Sequence, residues 1–326
     1  MGRVSTESVS ESGSPHEGTK AVVAAMAANI SIALMKVLAW LLTGAASLLA
    51  EAIHSMADSF NQILLLLGTK ASKRKPNALH PFGFGHERFL SAFLVAIILF
   101  TMGGLFALYE SYKKLQDVRA GHPDALVESR WWWVAIIVIL GAMVAESLSL
   151  RTGVHEANLV RRPGQSWVRF VKETRSPELP VILLEDTAAL LGLLFALIGV
   201  GMTKLTGHAM WDVAGSAAIG FLLVAVAVIL AVKIQSLLVG ASAAPEEVER
   251  IQAAIKSTPG IDRLIHLRTI HLGPEDIMVA AKIAVPQARL AIDVAHTIDD
   301  AEARVRAASP MVGLMYLEPD IDRGKT

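Results

Sequence analysis

The chain has 326 residues, 53% of them hydrophobic, with a mean hydropathy of +0.49. That is too apolar for an ordinary soluble protein, where apolar residues make up about 45–50% even counting glycine. Thirty Lys and Arg balance thirty Asp and Glu, so bulk charge points to no nucleic-acid partner, and the lack of cysteine excludes disulfides, thiolate metal sites and cysteine nucleophiles.

The first twenty residues, MGRVSTESVSESGSPHEGTK, are rich in Ser, Gly and Glu and have no apolar signal-peptide core. They are expected to form a disordered tail. Six apolar stretches follow, at 21–43, 46–68, 89–111, 131–150, 179–203 and 210–232, each near the ~20 residues needed to span a bilayer. Gly44 and Ala45 leave almost no loop between the first two spans, which must form a tight hairpin. Trp131, Trp132 and Trp133 open the fourth span and Trp211 the sixth, as expected of an interfacial aromatic belt.

Orientation follows from Lys and Arg in the loops. Lys70, Lys73, Arg74, Lys75 and Arg88 follow the second span, and Arg151, Arg161, Arg162, Arg169, Lys172 and Arg175 follow the fourth. The opposite side has an uncharged first loop and only Lys204 in its last, although Lys113, Lys114, Arg119 and Arg130 in the middle loop oppose the trend. The balance places both termini in the cytoplasm of an integral, multi-pass protein, expected in a plasma (inner) membrane. The membrane domain is taken as 21–237 and a C-terminal domain as 238–326. That domain reads as a helix at 245–257, strands at 262–271 and 276–285 around the turn Gly273-Pro274-Glu275-Asp276, a helix at about 289–307 and a strand from Val312 to Leu317 before Pro319. The αββαβ order predicts a small two-layer α+β domain.

The second span carries chemistry. His54 and Asp58 are four residues apart and Glu51 and His54 three, so all three fall on one helical stripe. A charge at the bilayer centre costs at least ~2.5–3.5 kcal/mol, so an ionisable group there marks a function by default. Imidazole and carboxylate together take hard and borderline divalent ions. A second helix must complete the shell, and the fifth span supplies Glu185 and Asp186 in VILLEDTAALLG. Adjacent residues on a helix point about 100° apart, so at most one of them aims squarely at the site.

The alternatives are polar glue between helices, a metal-binding membrane sensor without flux, and an intramembrane aspartyl protease using Asp58 and Asp186. The protease reading lacks a Gly-x-Gly-Asp signature and gives His54 no role. Lys36 in the first span and Glu146, placed near the cytoplasmic end of the fourth, are read as structural. The loop LHPFGFGHERFL holds His80 and His86, a weak second metal site or a solvated loop. His266 and His271 are five apart on one strand and face opposite sides. No ATP-binding G-x-x-x-x-G-K-[ST] loop occurs.

The segments SLLAEAIHSMADSFNQILLLLG, HPFGFGHERF and LLVGASAAPEEVERI resemble the cation diffusion facilitator family of divalent-metal transporters. LLEDTAALLG looks more like the subgroup of the mitochondrial and nuclear zinc-transporter-like member than like the bacterial zinc exporters. The resemblance implies six transmembrane helices, a cytoplasmic ferredoxin-like domain and a homodimer in the lipid bilayer. It further implies efflux of a divalent ion of zinc, manganese, cobalt, nickel or iron type in exchange for protons. The metal is then a substrate rather than a cofactor, and the chain is no enzyme. By position, the implied ligands are His54, Asp58 and Asp186. The ligand position one turn before Asp186 falls on Ile182, which has no donor atom. Either water fills the gap or Glu185 swings in. In the loop His80 matches a ligand position, but the next falls on Phe84. In the C-terminal domain the matching positions lie near Ile265, Ala281, Tyr316 and Glu318, with His296 remaining as a donor. That domain is therefore expected to dimerise and to bind metal poorly.

Overall fold

The computed structural model describes residues 15–286 and 289–321, with side chains from residue 29 onward. Most of the expected tail lies outside the described residues, and helix α1 (Pro15–Thr43) begins at Pro15 rather than at residue 21. It is followed by α2 (Ala46–Ser72) and by a third span built from α3 (Glu87–Ile98), a π-helical segment (Leu99–Leu105) and α4 (Phe106–Arg119). A short α5 (Ala125–Glu128) precedes α6 (Trp132–Val160), α7 (Trp167–Glu173), α8 (Glu178–Thr206) and α9 (Met210–Gly240). Each of the six expected spans is therefore one long helix or a joined run of helices.

Four of these stretches, Glu87–Arg119, Trp132–Val160, Glu178–Thr206 and the one starting at Met210, are long and apolar enough to cross a membrane. Helix α2 falls short of that standard because its polar residues lie in the middle of the helix. They face inward: Glu51, His54, Ser55 and Asn61 are buried, while Met56, Phe60, Leu66 and Leu67 are exposed. This inside-out amphipathicity is what a bilayer demands of a helix carrying ionisable groups. α2 packs against α1, α3, α8 and α9, whereas α6 packs chiefly on α1 and α8. The exposed ring faces of Trp131, Trp132, Trp133 and Trp211 all lie at the end of the bundle that holds the α1–α2 hairpin.

The hairpin is fixed by a capping arrangement that spans the sequence. Gly44 turns the chain at φ +65°, a left-handed conformation that favours glycine. The first amides of α2 are then orphaned. The Asp212 carboxylate of α9 accepts from the Ala46 amide at 2.7 Å, from the Ser47 amide at 3.3 Å and from the Ser47 hydroxyl. Lys114 Nζ neutralises the same carboxylate at 2.7 Å and also meets Asp124 at 3.1 Å. An anion at a helix N-terminus is further stabilised by the helix dipole.

After α9 the chain forms α10 (Pro245–Lys256), β1 (Arg263–Gly273), β2 (Asp276–Ala284), α11 (Ala291–Ala308) and β3 (Val312–Asp320). β1 and β2 pair antiparallel around the tight turn, and β2 and β3 pair parallel with α11 as the crossover. The two helices contact each other and the sheet over Ile251, Ile255, Ile277, Val279, Ile283 and Val305, giving the ferredoxin-like α+β layering. β3 continues through Pro319 instead of stopping before it. It is an edge strand in the order β1-β2-β3, where a missing backbone donor is tolerated.

Candidate metal centre

The ionisable stripe of α2 divides into two environments. Glu51 is committed elsewhere: its Oε2 pairs with Lys36 Nζ at 3.1 Å, both side chains being wholly buried. The ammonium also donates to Ser55 Oγ at 2.7 Å. Glu51 lies against the α8 backbone at Gly192, where an added Cβ would collide with its carboxylate. Lys36 thus neutralises an acid, the structural role expected of it.

His54 and Asp58 form the second environment. His54 is 1% exposed, and its Nδ1 lies 3.6 Å from Asp58 Oδ1. Among the described residues, both ring nitrogens and Asp58 Oδ1 are buried without a hydrogen-bond partner. Such orphaned groups are rare in folded proteins and point to an ion or water that completes them. The imidazole lies beside Gly103 of the π-helical segment. π-bulges of this kind recur at functional sites.

Across from α2, the two acids of α8 separate as their angular offset requires. Glu185 is buried and accepts from Asn61 Nδ2 of α2 at 2.7 Å. Asp186 accepts from Ser149 Oγ of α6 at 2.8 Å. Asp58, Glu146, Ser149, Ile182, Glu185 and Asp186 line one cavity of about 390 Å³ between α2, α6 and α8. His54 stands behind Asp58 rather than on the cavity wall. Among the described residues no trio of His, Asp and Glu side chains stands ready to hold a metal ion. The residues gathered here are an imidazole and several carboxylates, the side-chain types that take hard and borderline divalent ions, and His54 Nδ1 faces Asp58 Oδ1. Ion binding would have to draw the helices together.

The other candidate positions are dispersed. His80 is exposed, its ring 4.5 Å from that of Phe84, and it joins no metal-holding group among the described residues. His266 is exposed and His271 buried, as opposite faces of a strand require. Ala281 is in the core, Tyr316 is exposed and Glu318 pairs with Lys282 at 3.0 Å. His296 is exposed on α11.

Three contributors escaped the sequence reading. Glu146 was placed near the end of the fourth span, but α6 continues to Val160 and leaves Glu146 midway along the helix. Arg151 reads as a loop charge, yet it is an exposed helical residue. Asn61 and Asp212 act across 124 and 166 residues respectively, and no local pattern marks such contacts.

Comparison with known proteins places this geometry in context. The family model described as the cation efflux transmembrane domain matches residues 22–239. The human protein named proton-coupled zinc antiporter SLC30A9, mitochondrial, is 34% identical over 265 residues, covering 81% of this chain and 45% of its own length. Metal tolerance protein C4 of Arabidopsis thaliana is 26% identical over 265 residues, covering 81% of this chain and 56% of its own. The chain therefore spans about half the length of these curated relatives. A solved C-terminal domain of MamM covers 24% of this chain and 93% of its own at 23% identity, with a TM-score of 0.23. The fold of the small domain here stands on its own strand pairing.

Proposed function

Because the chain belongs to the cation efflux family, we propose that it is a secondary transporter that carries a divalent metal ion out of the cytoplasm in exchange for protons. The observation that carries this reading is the His54–Asp58 pair, whose ring nitrogens and Asp58 Oδ1 have no hydrogen-bond partner among the described residues, with Asp58 lining an acid-walled cavity. Asp58 and Asp186 bind the ion with His54, with Glu185 as the alternative fourth donor; each α8 acid has one oxygen engaged, Glu185 by Asn61 and Asp186 by Ser149. Metal binding needs a neutral imidazole and ionised carboxylates, so protons and metal compete for the same atoms. Closing of α2 and α8 about the ion, followed by opening to the far side, exchanges the two.

Zinc is supported by the human relative, which is named a proton-coupled zinc antiporter. The oxygen-rich donors also admit manganese, iron, cobalt and nickel. The C-terminal α+β domain lies on the cytoplasmic side, following the Lys and Arg distribution, and serves as the homodimer contact. The expected plasma (inner) membrane finds no support among the relatives, since the human one is named mitochondrial. Multi-pass insertion in a membrane is the part that stands.

The test is metal uptake into proteoliposomes with an internal pH dye and an imposed proton gradient. The reading predicts metal flux coupled to opposite proton movement. Binding without flux would favour the sensor alternative.

A further inference from the structure

We infer that Glu146 of α6 is a metal ligand, replacing the donor that position 182 lacks, so that the site draws on three helices rather than two. This rests on the metal-transport reading above.

Ile182 occupies the cavity wall but offers no donor, and its side chain is directed toward α6. A Cβ built on Gly153 would lie 3.3 Å from Ile182 Cγ2. One turn along the same contact, Ser149 bonds Asp186. Glu146, Ser149 and Gly153 are spaced i, i+3, i+7 and share one face of α6. Following that face one turn past Ser149 therefore brings a carboxylate to the deep end of the cavity. Glu146 meets Asp58 there twice: both line the large cavity, and both line a narrow cleft with Asn29, Ile32 and Ser55.

Lys36, the one buried cation of the first helix among the described residues, is taken by Glu51 and Ser55. No ion pair or hydrogen bond engages the Glu146 carboxylate among the described residues. A carboxylate midway along a membrane helix is expensive unless something compensates it. Beside it, His54 is 1% exposed with both nitrogens unpartnered and Nδ1 directed at Asp58. A divalent ion between Asp58, Asp186 and Glu146, with His54 as the nitrogen donor, accounts for every one of these unpaired groups. Glu185 needs no part in it. The resulting set of one nitrogen and three carboxylates is richer in oxygen than a site with a second imidazole, and oxygen donors favour manganese-type ions over zinc.

The test uses the full chain in detergent, titrated with zinc and with manganese and then loaded with cobalt for its visible absorption. Glu146→Gln should weaken binding of both ions at least as much as loss of an outer partner does, roughly 10–100-fold, with manganese affected more. Glu146→His keeps a donor in place. It should bind zinc, lose preference for manganese and shift the cobalt bands. Asp58→Asn separates the two claims. If it abolishes binding while both Glu146 variants keep wild-type affinity, selectivity and cobalt spectrum, the inference is overturned and the transport reading survives. If Asp58→Asn also binds as wild type, the metal site itself is misassigned.

Discussion

Asn61 Nδ2 donates to Glu185 Oε1 at 2.7 Å across the α2–α8 contact, while the neighbouring Asp186 is held from α6 by Ser149. The two adjacent acids therefore belong to different partners, and their substitutions should differ. Asp186→Asn removes a cavity carboxylate and should reduce metal flux at least 10-fold. Glu185→Gln retains a hydrogen-bonding partner for Asn61 and should reduce it only a few-fold. Initial rates in proteoliposomes check the order; the reverse order would make Glu185 the ligand.

The Lys36–Glu51 pair predicts a stability effect without a binding role. Removing one partner of a wholly buried pair strands the other and typically costs about 3–5 kcal/mol. Lys36→Met alone should lower the melting temperature sharply, and the double variant Lys36→Met, Glu51→Leu should recover much of the loss. Thermal unfolding in detergent, followed by circular dichroism, reads both. Equal losses in the single and double variants would contradict the pairing.

Asp212 does for the other end of α2 what a local cap residue usually does. Asp212→Ala orphans the Ala46 and Ser47 amides and leaves Lys114 with Asp124 and the Gly44 carbonyl. Loss of a cap is worth ~0.5–2 kcal/mol, and Lys114 loses one of its two carboxylate partners. The expected readout is a lower melting temperature together with faster amide exchange in residues 44–50. Unchanged exchange there would show that the hairpin does not depend on the carboxylate.

His271 gives a pH dependence outside the membrane. Burial holds its imidazole below the ordinary value of 6.5, and its Nδ1–H donates to the Gly273 carbonyl at 3.0 Å. The unfolded chain then takes up a proton near pH 6.5 that the folded chain resists until lower pH. The neutral form's contribution is complete above that pH and is lost as pH falls below it. His271→Asn should flatten the acid side of a melting-temperature profile between about pH 5 and 8. The same slope in both proteins would contradict the assignment.

Arg88 joins the two domains. It pairs with Glu178 at the start of α8 at 2.6 Å and with Glu275 of the β1–β2 turn at 3.5 Å. Close by, Gly85 admits no side chain because Leu272 and Gly273 of β1 lie against it. Since Glu178 also lines the cavity, Arg88→Ala should raise amide exchange at residues 272–277 and slow flux several-fold. Unaltered exchange would mean that the hairpin is held by packing alone.

The parts of this molecule legible in the sequence are those with a local period. Six apolar runs gave the spans, and the alternation of helix and strand signals after Gly240 gave αββαβ nearly residue for residue. His54 and Asp58 stood out because charge four residues apart in an apolar run has few structural uses, and the structure buries His54 beside Asp58. The length of α6 was hidden because Arg151 looks the same in a loop as on a helix. The π-helical segment was hidden because LFTMGGL has the composition of any membrane helix. Asp212 reads as an ordinary first-turn acid on its own helix, and only the folded chain shows that it caps another one.

The proposed transport depends on Asp58 as a ligand of the ion. The most direct measurement pairs metal titration of purified Asp58→Asn with its metal and proton flux in proteoliposomes, against wild type at matched thermal stability. The prediction is loss of high-affinity binding and of both fluxes together. Wild-type affinity and flux in that variant would contradict it.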